Sequence, residues 1–107
     1  MGNRNLPDGF SYAHEKVSKA VYLLAVGSGR IQARLLDAAI AFVAVNLDDF
    51  PTNLKPEFAY VRDRLTRVAA TADEGDIAAT LAVMSDDEAV DLAEKLVSLD
   101  FELEQLA

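Results

Sequence analysis

The chain has no cysteine, which excludes disulfides, thiolate metal sites and cysteine nucleophiles but leaves the redox compartment open. It has a single histidine, His14, and no HExxH, ExxH or DxDxDG pattern, so its many carboxylates lack a ligand geometry. The acid clusters Asp48-Asp49 and Asp86-Asp87-Glu88 read as a turn and a helix start. No serine sits in a G-x-S-x-G elbow. A general-base reading would begin with the lone histidine, but the place of His14 on the apolar side of a helix reads as structural. The expectation is therefore a non-enzymatic protein with no catalytic residue, no metal site and no cofactor. Strand-like alternation, internal repeats and low-complexity tracts are also missing.

The longest unbroken apolar run, Ala38 to Val45, is far shorter than the ~20 residues that span a bilayer. The opening MGNRNLPDGF has no apolar h-region. Gly2 does not start a myristoylation signal, because position 6 is Leu6 where Ser or Thr is required. A cytoplasmic protein without membrane contact is expected. Basic residues are scarce in the last third: residues 73–107 hold Lys95 against eleven acids, whereas residues 1–72 hold nine Lys/Arg against seven Asp/Glu. The net charge of −8 repels nucleic acid and favours a basic protein partner, or self-association that joins the two halves.

What is present is helical periodicity. Residues 1–10 read as a poorly ordered tail, and 11–107 as a single helical domain. Ser11 is a plausible N-cap for a helix to Val26, with Phe10, His14, Val17, Val21 and Leu24 on one stripe. Gly27 is expected to end it in the left-handed conformation, with Ser28 capping the next helix. That next helix, about 30–46, is apolar on every side from Ala38 to Val45, and such a helix belongs at the centre of a fold. Asn46 and Leu47 read as its C-terminal cap, and Phe50, before Pro51, as a plug for the end of the core. Pro56 opens a helix over about 55–70. Asp73 is a candidate N-cap for a short helix carrying Ile77, Leu81 and Met84, and Ser85 with Glu88 forms a capping box for the last helix. There Ala89, Leu92, Leu96, Leu99, Leu103 and Leu106 make a heptad seam, which Val90, Ala93, Val97 and Phe101 widen.

Three groups are candidate sites. Phe101, Leu103 and Leu106, with Leu99, are expected to pack across a homodimer interface, since the apolar face of a last helical turn is hard to cover within one domain. Arg62, Arg64 and Arg67, flanking Tyr60, read as a docking surface for acids, and these three, or Arg30 and Arg34, of either subunit are offered to the carboxylates Asp100, Glu102 and Glu104, which the helix dipole disfavours at a C-terminus. Ser28, Arg30 and Arg34 form an anion-site candidate at a helix start. Neither a P-loop nor a dinucleotide fingerprint accompanies them.

The phrases GSGRIQARLLDAAIAFVAVNLDDFP and DEGDIAATLAVMSDDEA resemble a group of small, uncharacterised bacterial all-helical proteins, over most of residues 14–100. The resemblance implies an all-helical bacterial domain and no activity. The reading is an all-α, compact bundle of four main helices plus one short helix, serving as a protein-binding or assembly module that self-associates as a homodimer. The alternative is an acidic regulator or inhibitor of a basic or nucleic-acid-binding protein.

Overall fold

A computed structural model describes residues 6–71 and 75–107. Its regular elements are all helical: α1 (Phe10–Val26), α2 (Ile31–Phe42), α3 (Lys55–Leu65), α4 (Asp76–Val83) and α5 (Asp86–Leu106), with single tight turns at Leu47–Asp49 and Thr52–Leu54. Among the described residues there is no strand, so the chain is all-α. Leu6 already packs at the edge of the core and Phe10 is buried. The tail expected over 1–10 is thus anchored from Leu6 onward, and residues 1–5 lie outside the described residues, as does the candidate cap Asp73.

α1 buries Phe10, Ala13, Val17, Ala20 and Leu24, steps of three and four that keep one stripe inward. α2 lies against α1, α4 and α5. Ala38 and Ala39, both fully buried, let those neighbours approach its backbone closely. The α1–α2 turn differs from the sequence reading. Gly27 has extended angles, φ −68° and ψ 163°, and the left-handed residue is Gly29 at φ 90°. Gly27 is needed for space, since a Cβ there falls 2.7 Å from the Leu23 carbonyl oxygen and 2.9 Å from Arg34 Cγ. Ser28 caps nothing; the N-cap of α2 is Arg30, with no side-chain hydrogen bond. Nor does Ser11 cap α1, whose N-cap is Gly9.

The larger correction concerns the apolar run. α2 stops at Phe42, and its inward face is Leu35, Ala38, Ala39 and Phe42. Ile40 is 64% exposed and Val43 61%, so the helix expected to be enclosed on every side keeps one side open to solvent. No described element lies over that side. Asn46, read as the end of α2, instead caps the next turn: its amide donates to the Asp49 carboxylate at 3.1 Å, and its side chain accepts from the Asp49 amide. Ile40→Asp should therefore fold, with a thermal midpoint near that of wild type, because surface substitutions move stability by only about 0.5 kcal/mol. Phe42→Asp should not fold. Melts of the two variants by circular dichroism check both.

Phe50 closes one end of the core, stacked on Phe58 at a 4.2 Å centroid separation, while Phe42 meets Phe58 edge-on at 5.7 Å. The α3–α4 junction is held by Thr80, whose buried hydroxyl donates to Asp76 O at 2.7 Å and accepts from Val68 N at 3.0 Å. Of the capping box expected at Ser85, one half forms, with Glu88 N donating to Ser85 Oγ at 3.1 Å, while the Glu88 carboxylate turns to Arg64 and Arg67 instead. From there α5 turns Ala89, Leu92, Leu96, Leu99 and Leu103 into the core.

Candidate docking face on α1, α2 and α5

Polar bonds tie α5 to its neighbours at both ends, to α1 at its C-terminal end and to α2 at its start. At the C-terminal end of α5, His14 Nε2 lies 2.8 Å from Glu104 Oε1, and Ser18 Oγ donates to Asp100 at 2.6 Å. These bonds come from α1 of the same chain. Two of the three carboxylates that sequence reasoning left without a partner are therefore satisfied internally. At the other end, the buried Gln32 amide donates to Met84 O at 3.0 Å and to Asp86 at 2.7 Å, and Arg30 reaches Asp86 at 3.3 Å. Gln32 Oε1 is buried without a protein partner.

Charge fixes the start of α5. The Gln32 amide and, after it, the Arg30 guanidinium hold the Asp86 carboxyl below its ordinary value. Partial burial pushes Glu88 up, but hydrogen bonds from Arg64 and Arg67, at 2.8 Å each, outweigh it and the net shift is down. A carboxyl whose folded pKa is depressed contributes stability above its unfolded pKa, and that contribution is lost as pH falls through the folded value. The thermal midpoint should therefore drop as pH is lowered below the ordinary values of 3.8 and 4.5. Replacing both Arg64 and Arg67 by Ala should flatten that drop, as a series of melts between pH 2 and pH 6 would read.

The candidate sites of the sequence are relocated by these contacts. Arg64 and Arg67 converge on Glu88 of their own chain, and Arg62 lies over the Phe58 ring at 5.6 Å. The three arginines tie α3 to α5 and to the core, so they do not form a free docking surface for acids. Arg34 donates to Leu24 O at 3.1 Å and to Gly29 O at 3.3 Å, occupying carbonyls that the end of α1 leaves open. With Arg30 on Asp86 and Arg34 on those carbonyls, Ser28, Arg30 and Arg34 do not converge on an anion. Leu99 and Leu103 are 1% and 0% exposed, and Leu106 packs against the same core. Leu99 and Leu103, enclosed by their own chain, have no area to offer a second copy, so of the expected interface Phe101, 63% exposed, lies outside the core and Leu106 is half-buried.

Between the polar ends lies the feature that these assignments missed. Val21, Leu24 and Ala25 of α1, Ile31 of α2, and Val90, Ala93 and Val97 of α5 line an open apolar groove of about 360 Å³. Arg34 and Glu94 stand at its margins. Val90 and Val97 are about half exposed, and Phe101 continues their line on α5. The signal was present in part, since Val90, Ala93, Val97 and Phe101 keep helical spacing beside the leucine seam. The opposite wall comes from residues some seventy positions earlier, which only the tertiary fold brings alongside.

Among the described residues, no group of three His, Asp or Glu side chains is placed to hold a metal ion, and no helix is long and apolar enough to cross a membrane. Compared with known protein families, curated proteins and solved structures, the chain matches none.

Proposed function

We propose that the chain is a non-enzymatic protein-binding module of the cytoplasm, a compact four-helix bundle with α4 as its short fifth member, that docks a partner on the groove between α1 and α5. The observation that carries this reading is the groove itself. Its walls are aliphatic side chains of three helices, and two of its valines stay half open to water. Apolar surface gathered into one concave strip is a feature of interaction sites, whereas singly scattered apolar residues are ordinary. Polar bonds tie the C-terminal end of α5 to α1 and its start to α2, which supports a strip formed before any partner arrives.

Self-association is the second reading, and it now rests on Val90, Val97 and Phe101, because Leu99 and Leu103 are spent inside the chain. The acidic character of α5 opposes pairing it with itself, which places a heteromeric partner first.

The test is affinity capture from the native host with wild type and Val97→Asp as baits. Val97 is half exposed, so the variant keeps its fold and changes only the groove. The reading expects a protein retained by wild type and lost with Val97→Asp. Identical sets on both baits would overturn it, and a wild-type dimer in sedimentation that Val97→Asp dissociates would give the second reading precedence.

A further inference from the structure

We propose that the occupant of the α1–α5 groove is a basic amphipathic helix contributed by a different protein. This rests on the docking reading above and specifies what docks. Shape supports a helix. From Val90 to Phe101 the open strip of α5 covers three helical turns, roughly 16 Å at 1.5 Å per residue. An enclosed small-molecule site would bury its walls, but here Val90 and Val97 remain half exposed and the line runs on to Phe101 beyond the groove. A strip of this length, with aliphatic residues at steps of three and four, matches the helix-in-groove mode, in which the occupant places its i, i+3, i+4 and i+7 side chains along the floor.

Charge selects the kind of helix. Glu94 lines the groove, Asp87 lies seven residues before it on the same face of α5, and neither makes an ion pair among the described residues. α5 as a whole carries eight acids against Lys95, and Lys95 is itself 3.8 Å from Asp91. Arg34, the other charged residue of the lining, donates to backbone carbonyls. An occupant with lysines or arginines flanking an apolar stripe would meet valines with its stripe and carboxylates with its flanks. A second copy would set one acidic α5 against another, and an anionic membrane or nucleic acid would face the same repulsion. The acid-rich last third of the chain thus acquires a role: it steers the partner helix, and the valines hold it.

Amide NMR of the folded protein, titrated with three synthetic 18-residue peptides, tests this. The first is a Leu/Lys peptide with leucines at helical spacing, the second has the same composition scrambled, and the third carries Glu in place of Lys. The first should give saturable shifts at Val21, Ala25, Val90 and Val97. Its affinity should fall about tenfold with Val97→Asp and about threefold with Glu94→Lys. If the Leu/Glu peptide binds those amides as well, the basic occupant is wrong while the docking reading survives. If the scrambled peptide binds equally and Val97→Asp has no effect, the attraction is charge alone and the proposal falls. If no peptide moves these amides, the docking reading falls with it. Should the same amides shift with protein concentration and no peptide, the occupant is a second copy and the proposal is overturned.

Discussion

Leu103→Glu is expected to leave no folded protein. Leu103 is 0% exposed near the end of the last helix, where sequence periodicity alone invites an interface assignment. A carboxylate there would lose its hydration without gaining a partner, or would take up a proton and remain desolvated. Either outcome costs several kcal/mol against a total stability of about 5–15 kcal/mol. Leu103→Met, which preserves volume and polarity, should cost less than about 1.5 kcal/mol. The contrast between the two in urea titrations followed by circular dichroism separates a core position from an interface position. An interface leucine replaced by Glu gives a folded monomer, whereas a core leucine gives an unfolded chain.

Phe58→Ala is expected to be the most destabilising of the truncations that leave a folded chain. Its ring is 1% exposed, stacked on Phe50, met edge-on by Phe42 and covered by the Arg62 guanidinium. Removing it takes away transfer free energy and leaves a cavity whose walls are rings that cannot close over it, about 3–5 kcal/mol for this class of substitution. At about 4–8 °C per kcal/mol for a domain near this size, the thermal midpoint should fall by more than about 12 °C. Phe58→Leu should lose less than half as much. Equal losses for both variants would mean that the stacked geometry contributes nothing beyond volume.

Local signals in the sequence were legible and distant ones were not. The Ser85 cap and the inward leucines of α5 depend on residues three and four apart, and both appear in the structure where the spacing put them. Phe50 was legible as a plug because Pro51 restricts its backbone and no other large apolar side chain stands between Asp48 and Asn53. The outward face of α2 was not legible, because an apolar residue announces a preference for burial and says nothing about whether a neighbour is available. Ile40 and Val43 stay more than half exposed. Assigning the left-handed turn to Gly27 failed for a related reason: two glycines flank Ser28, and local spacing does not say that Gly29 takes the positive φ while Gly27 leaves room for Arg34, seven residues further on.

The candidate site follows the same division. Arg64 and Arg67 were legible as a basic stripe on a helix, but their partner Glu88 lies more than twenty residues away. A stripe of cations cannot be told from a free surface until its counter-charge is located. The heptad leucines were the stronger signal on α5, and they drew the interface assignment. The weaker signal beside them, Val90 to Phe101, is the part that the folded chain leaves open. An apolar stripe wider than a single helix contact has to serve two neighbours. Here the first is the core and the second is the groove.

The absence of cysteine allows the central claim, that α5 turns its leucines inward and offers its valines outward, to be read directly. Single cysteines introduced as Val97→Cys and Leu103→Cys would be the only thiols in their chains, and their rates of reaction with an aqueous thiol reagent under native conditions can be compared. The account expects position 97 to react at close to the rate of an unfolded control, and position 103 to react only through global opening, slower by a factor on the order of a thousand or more for a domain of ordinary stability. Equal rates at the two positions, or faster labelling at 103, would contradict it.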